Sequence, residues 1–444
     1  MRIKFSKSFK ILGIVIVSIV VLILIVRGIF SVVAVKKFNS EVERMKAEGK
    51  HIELKDFEIQ CEDSENAALP WKEIEEMFSP TDEEKKLISN TLTKVLKGGV
   101  IDKQERTKID KIISENSKCF EQFKEVIERP HFKYETDWDK PVAAYRIPSA
   151  VPIIQFMKLY SVDTFLKAEN GQLNDAIDQC FSWLTFSSTF LDEPFLIQYL
   201  ISNATARQQI ELLNRIISSK KLDDETLFNA LKRLDIDVWQ KGLIKSVESE
   251  RVFFIDCARE VLKGNKEVIG DFGYNKFWFW LFRPFKISDL TYSMKIYDEA
   301  VETGKIPYYK TSELRKSLSR KLVKIPRYHI FAFWLIPNFE GMFLKKTALE
   351  AEILAAKAGI ACKIFQNRHG IFPEKLSQLV PDILSEVPTD PFSGKPLIYR
   401  RTPSGFIVYS VGSNGKDDGG KETREITKIL AEKDDDWVWY EGKE

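Results

Sequence analysis

The sequence predicts a mainly α-helical, membrane-anchored chain that ends in a small α+β unit. Three observations predict it. One long apolar run lies near the N-terminus, helical hairpins with short turns fill the middle, and two strand-forming segments flank a Pro-Ser-Gly turn near the end. At 444 residues the chain exceeds one typical core, so two or three domains are expected. Hydrophobic residues at 44% and aromatics at 12% exclude global disorder. Lys and Arg number 67 against 65 Asp and Glu, and the resulting +2 gives no electrostatic basis for a nucleic-acid partner.

The N-terminal run comes first. Arg2, Lys4, Lys7 and Lys10 precede Ile11–Val26, which is apolar except for Gly13 and Ser18. That stretch makes about 24 Å of helix. A bilayer core of ~30 Å needs more, so the span draws on Gly28–Val35 beyond Arg27. Basic residues before the run favour a cytoplasmic N-terminus, with everything after Lys37 outside. A cleaved signal peptide is the rival reading, with Val32-Val33-Ala34 as the cut. The apolar stretch is long for it, so an uncleaved anchor over 11–35 behind a basic tail, 1–10, is expected.

Residues 38–341 read as an α-helical extracytoplasmic body, with a sub-boundary near 145. A helix opens at Asp63-Ser64-Glu65-Asn66 and closes at Ser79-Pro80, where Thr81-Asp82 start the next. Ile147–Glu169 stops at Asn170-Gly171, the expected left-handed exit, and Leu173–Leu191 is its return partner. Asp192-Glu193-Pro194 starts another helix. Leu222, Asp223 and Leu227 form a hydrophobic staple around a cap, and Leu231, Leu234 and Val238 continue that face. Ala168, Gly171 and Ala176 resemble a tetratricopeptide turn, but no second copy follows at that repeat's period.

Two aromatic clusters stand out, Phe277–Phe285 and Tyr328–Trp334. They either fill the joint between body and C-terminal unit, the preferred reading, or form a patch that touches the bilayer interface or a partner. Cys61, Cys119, Cys180, Cys257 and Cys362 lack metal spacing and read mostly as small buried hydrophobes; Cys61 with Cys119 is the one pair worth testing as a disulfide. Standard catalytic motifs are missing: no HExxH, GxSxG, P-loop or GxGxxG. Asp223-Asp224 is explained by capping, His369 by the C-terminal helix dipole, and His329 by core packing.

Residues 342–444 carry the specific signal. Phe343–Arg368 is a helix ended by Gly370, followed by a short turn at Leu376–Val380. Leu397–Arg401 and Phe406–Val411 flank Pro403-Ser404-Gly405 as a hairpin, and Asp436–Tyr440 supplies a third strand. Gly370-Ile371-Phe372-Pro373, Asp390-Pro391-Phe392-Ser393-Gly394 and Tyr409-Ser410-Val411-Gly412-Ser413-Asn414-Gly415 occur in this order. The unit resembles the globular end of the type II secretion major pseudopilin. The resemblance implies one long helix on a three-stranded antiparallel sheet. It also implies a calcium loop, with Asp417, Asp418 and Asp436 as ligands; Ca²⁺ takes such hard oxygens. Prepilin processing is not implied, because the apolar run precedes Gly28 and the fifth residue after it is Val33.

The whole chain is similar to membrane-anchored bacterial envelope proteins. The expected function is a non-enzymatic binding or scaffold role outside the inner membrane. The bilayer would be a partner through 11–35, together with an envelope protein. An accessory component of a secretion or pilus-like assembly, and an envelope enzyme with dispersed residues, are the alternatives.

Overall fold

The computed structural model describes residues 7–138, 140, 145, 149–265, 276–325, 329, 332, 336–420 and 437–441. It is mainly helical, with one small sheet. Helix α1, Lys7–Ala47, is unbroken. Its side chains from Ile11 to Val26 are exposed, and Ala34, Phe38, Val42 and Met45 are then buried. Those four repeat every three to four residues, which is one stripe of a helix turned to a core. A single helix therefore begins as a candidate membrane span and ends inside the body.

The body follows as α2 (Ala68–Met77), α3 (Asp82–Leu96), α4 (Lys103–Glu115), α5 (Ser117–Glu128), α6 (Val151–Glu169) and α7 (Leu173–Thr189), then α8 (Leu196–Ser219), α9 (Asp224–Arg233), α10 (Asp237–Lys263), α11 (Lys276–Gly304) and α12 (Ser312–Val323). The expected caps are present. Thr81 and Glu84 form a reciprocal box at α3, and the Asp223 carboxylate accepts from Thr226 N at 2.8 Å at α9. Gly171 takes φ +83° between α6 and α7, with Ala168 and Ala176 buried at the crossing. The α9 pattern does not run on to Val238: α9 stops at Arg233, and α10 starts at Asp237.

Two buried clusters lie side by side. Trp71, Phe123, Phe156, Trp183 and Phe186 centre the first, between α2, α5, α6 and α7. The second runs from Ala34 in α1, through α8 and α10, to α13 (Phe339–His369) and the sheet. The sheet holds β1 (Ile398–Arg401), β2 (Phe406–Ser410) and β3 (Trp437–Glu441), antiparallel in that order. Thus α13 packs on α8 and α9 as well as on the sheet.

Polar side chains fasten α13 to α8. Arg207 grips Glu352 with contacts of 2.7–3.2 Å, and the buried Lys363 donates to Ile217 O at 2.7 Å, a carbonyl in the last turn of α8. On the sheet side, Gly359 lets the Trp439 ring approach; a Cβ there would meet Trp439 Nε1 at 2.4 Å. Asp390 is the hub of the Asp-Pro turn. Its carboxylate accepts from Phe392 N at 3.0 Å and from the hydroxyls of Ser393 and Ser410 at 2.7 and 2.6 Å.

Two expectations need correction. The aromatic run at the start of α11 does not fill the joint to the C-terminal unit. Its described side chains, from Trp280 on, pack on α1, with Phe30 and Phe285 rings 4.7 Å apart, and α13 itself makes the joint. Cys61 and Cys119 are not bridged; all five cysteines are free thiols. Of the second aromatic cluster only His329 and Ala332 are described, and His329 is buried against Tyr292, as expected.

One carboxylate joins α1 to the body. Asp298 of α11 accepts from Arg44 Nη2 at 3.0 Å, Lys50 Nζ at 2.8 Å and Arg251 Nη1 at 2.8 Å. Burial pushes this carboxyl up, but the hydrogen bonds from Lys50 and Arg44 hold it net below its ordinary value. Arg251 is 0% exposed, so Asp298→Asn leaves a buried guanidinium without its counter-charge. We expect a loss of about 3–5 kcal/mol in chemical unfolding of the detergent-solubilised chain. A loss under about 1 kcal/mol, the range of exposed pairs, would show that the clasp does not hold α1.

Candidate functional site

The elbow between α7 and α8 builds the site. Phe190–Asp192 is a single tight turn, and Pro194 disfavours helical backbone at the residue before it. Glu193 is accordingly extended, φ −73° and ψ 131°. From this elbow two carboxylates reach an extended segment at 131–134. Asp192 Oδ2 takes Phe132 N at 3.2 Å and lies 3.1 Å from His131 Nδ1. Glu193 Oε1 takes Tyr134 N at 2.8 Å, and between them Asn66 Oδ1 takes Lys133 N at 2.9 Å. Three consecutive backbone donors are thus satisfied by side chains in place of a neighbouring strand.

Against this segment stands the first half of α2. The space between them is a cleft of about 510 Å³, walled by Trp71, Glu75, Tyr134, Tyr145, Glu193 and Phe195. Trp71 donates its indole N–H to Glu75 Oε1 at 2.7 Å. Glu193 is 3% exposed, and its Oε2 has no hydrogen-bond partner among the described residues. Burial pushes its carboxyl up to about 7. Burial also raises Glu75, against the pull of the Trp71 N–H. The Tyr134 hydroxyl is raised by burial and by the charges of Glu75 and Glu193, so both carboxyls lie near it.

The chemistry follows from the direction of those shifts. A hydrolytic pair needs one carboxyl held neutral and one ionised. Here burial moves both the same way, so Glu193 and Glu75 are not pushed apart as such a pair would be. A neutral Glu193 that accepts through Oε1 keeps its proton on Oε2, where it is a hydrogen-bond donor. Beyond the elbow, Lys245 donates to Asp192 O, and burial lowers its ammonium. The reading of 192–194 as a helix start locates the elbow but not its carboxyls. Glu75 and Tyr134 carry no sequence signal, because their meeting depends on the fold.

The acidic loop lies elsewhere, beyond β2. Asp417 Oδ1 accepts from the Tyr409 hydroxyl at 2.7 Å and Gly419 N at 2.9 Å, and Arg400 donates to that hydroxyl at 2.9 Å. These bonds and the Arg400 charge hold the Asp417 carboxyl below its ordinary value. Asp418 Oδ2 accepts from Asn414 Nδ2 at 2.6 Å. Each carboxylate keeps one oxygen outside these bonds, so the pair fits a cation in part. No cluster of three acidic, His or Cys side chains occurs among the described residues, and Asp436 lies outside them. β3 does begin opposite the end of β2, with Trp437 paired to Ser410. The chain matches no family model, no curated protein and no solved structure.

Two predictions follow from this geometry. Glu193 binds a proton more tightly folded than unfolded, where its value is about 4.5. Between pH 4.5 and about 7 the native state therefore holds more protons, and stability falls as pH rises through that window. Glu193→Gln stays neutral and should flatten that fall, measured by thermal melts across the window; parallel curves for the two proteins would exclude a neutral Glu193. For the loop, the pseudopilin resemblance predicts a higher melting midpoint in calcium than in chelator. Asp418→Ala should abolish the difference and Asp382→Ala should not, and an unchanged midpoint at millimolar calcium removes the metal.

Proposed function

We propose that this chain is a single-pass membrane protein whose extracytoplasmic body binds a neutral, carbonyl-bearing ligand in the cleft between α2 and the α7–α8 elbow. The observation that carries the reading is the Glu193 carboxyl, buried in the wall of the cleft with Oε2 unpartnered among the described residues. A buried polar group without a partner is costly, and a ligand oxygen at Oε2 would relieve that cost. Lys72, Lys133 and Lys140 line the cleft together with Glu75, Glu135 and Asp137, so its charges are mixed, and an ionised Glu193 would repel an anion but not a neutral amide or ester carbonyl. The aromatic walls offer apolar contact to the rest of the ligand. The basic residues ahead of Ile11 support an extracytoplasmic body.

An accessory role in a pseudopilin-like assembly is the second reading. It rests on the turn order of the C-terminal unit. Against it stands α13, which is buried around its circumference from Met342 to Ile364 and is thereby committed to this chain's own core. An enzymatic reading finds no support in Glu193 and Glu75, whose carboxyls burial shifts in the same direction.

Thermal shift on the full chain in detergent micelles tests the binding. The probes are a blocked neutral peptide and a neutral N-acetylated oligosaccharide. We expect one of them to raise the midpoint below pH 7 and to lose the effect above it, where Glu193 ionises. Glu193→Gln, whose amide still donates, should bind on both sides of that pH, and Glu193→Ala on neither. No shift with either probe below pH 7 would overturn the cleft as a site for neutral carbonyls.

A further inference from the structure

Arg27 interrupts the apolar face of α1, and its partner explains why. Pro284 lies inside α11 and has no N–H to give to the carbonyl four residues before it, which is Trp280 O. Arg27 Nη2 donates to that carbonyl at 2.7 Å, and its guanidinium lies 3.7 Å from the centre of the Trp280 ring. The anchor helix thus satisfies a carbonyl that a proline in another helix has freed. One turn further along, Phe30 packs on Phe285. The start of α11 is therefore held against α1 from the level of Arg27 to that of Phe30.

That level is where the bilayer should end. Counted from Ile11, the twenty residues to Phe30 rise about 30 Å, the thickness of a hydrocarbon core. Ile29, Val32 and Val33 are still exposed, and Ala34 is the first α1 residue covered by the body. Over the same stretch α11 presents Trp280, Phe282 and Phe285, which are 41%, 40% and 47% exposed. Aromatic side chains concentrate at the membrane–water boundary, where an apolar ring and a polar tip are both accommodated. A soluble surface has no use for three such neighbours beside a lipid-facing helix.

We infer that the N-terminal turns of α11 are a second membrane-seated element, which sinks Trp280, Phe282 and Phe285 into the bilayer interface beside the anchor. The inference rests on the single-pass reading of α1. The occupant of the face is lipid because the face is continuous with the exposed apolar residues of α1. The seat fixes the rotation of the body about the anchor axis, since lipid must meet one chosen side of the α1–α11 pair.

Tryptophan quenching in phosphatidylcholine vesicles tests it, with the full chain and lipids brominated either near the headgroup or near the chain ends. Headgroup-proximal bromine should quench more than chain-end bromine. Trp280→Phe should remove part of that shallow quenching, and Phe282→Trp should add to it. The inference is overturned if both variants leave shallow quenching unchanged while the protein still floats with the vesicles. Trp280 shielded from aqueous quencher in that case would assign the face to a protein contact. A chain that fails to float would overturn the anchor and the seat together.

Discussion

The junction at Asp298 is the constraint from which the rest of the architecture follows. A carboxylate shared by Arg44, Lys50 and Arg251 joins the end of α1 to α10 and α11. Arg251 also donates to His51 O at 3.1 Å, so the chain leaving α1 is held by the same guanidinium. Arg251 and Asp298 are buried, and neither charge is tolerable alone at that burial. The first segment of the protein cannot swing free without exposing an unpaired ion to an apolar interior. The body therefore takes its position from the anchor rather than from a linker.

Several buried charged groups elsewhere are paired in the same way. Lys363 inside α13 reaches the last carbonyls of α8, and Lys346 pairs with Glu350 at 2.7 Å within α13. Asp390 accepts four hydrogen bonds at the turn that leads into the sheet. Lys363 and Asp390 thereby brace one element against another, whereas the Lys346–Glu350 pair closes within its own helix. Glu193 is not alone in holding a buried polar atom without a partner among the described residues, but it is the carboxyl among them and it lies in the wall of a cleft, which is the reason to look for a ligand there.

Much of the fold is legible because local chemistry dictates it. The Asn170-Gly171 exit, the Thr81 and Asp223 caps, and the hairpin across Pro403-Ser404-Gly405 all act within a few residues, and the helices and strands fall where those signals put them. The long-range placements are not legible. Lys346, Glu350 and Lys363 carry no sequence signal of burial, yet all three are buried. Arg251 and Asp298 are 47 residues apart and unremarkable singly. The same limit hides the candidate site, since Glu193 meets Tyr134 only once α7 and α8 have folded back onto α2. The aromatic run at 277–285 was visible, but its neighbour was not. A proline and an arginine more than 250 residues apart have to be seen together before either makes sense.

The unbroken course of α1 also sets how the body stands. From Phe30 to Ala47 a straight helix runs about 26 Å alongside and into the body, so no flexible tether separates the body from the exposed apolar stretch. A body mounted this way sweeps almost no volume. On the single-pass reading proposed above, it would meet only what diffuses within its own girth of the membrane surface, and always from the same side. A protein on a long disordered leash explores a hemisphere and trades local concentration for reach. On that reading this one would give up reach, and a ligand would have to come to the lipid surface or already belong there.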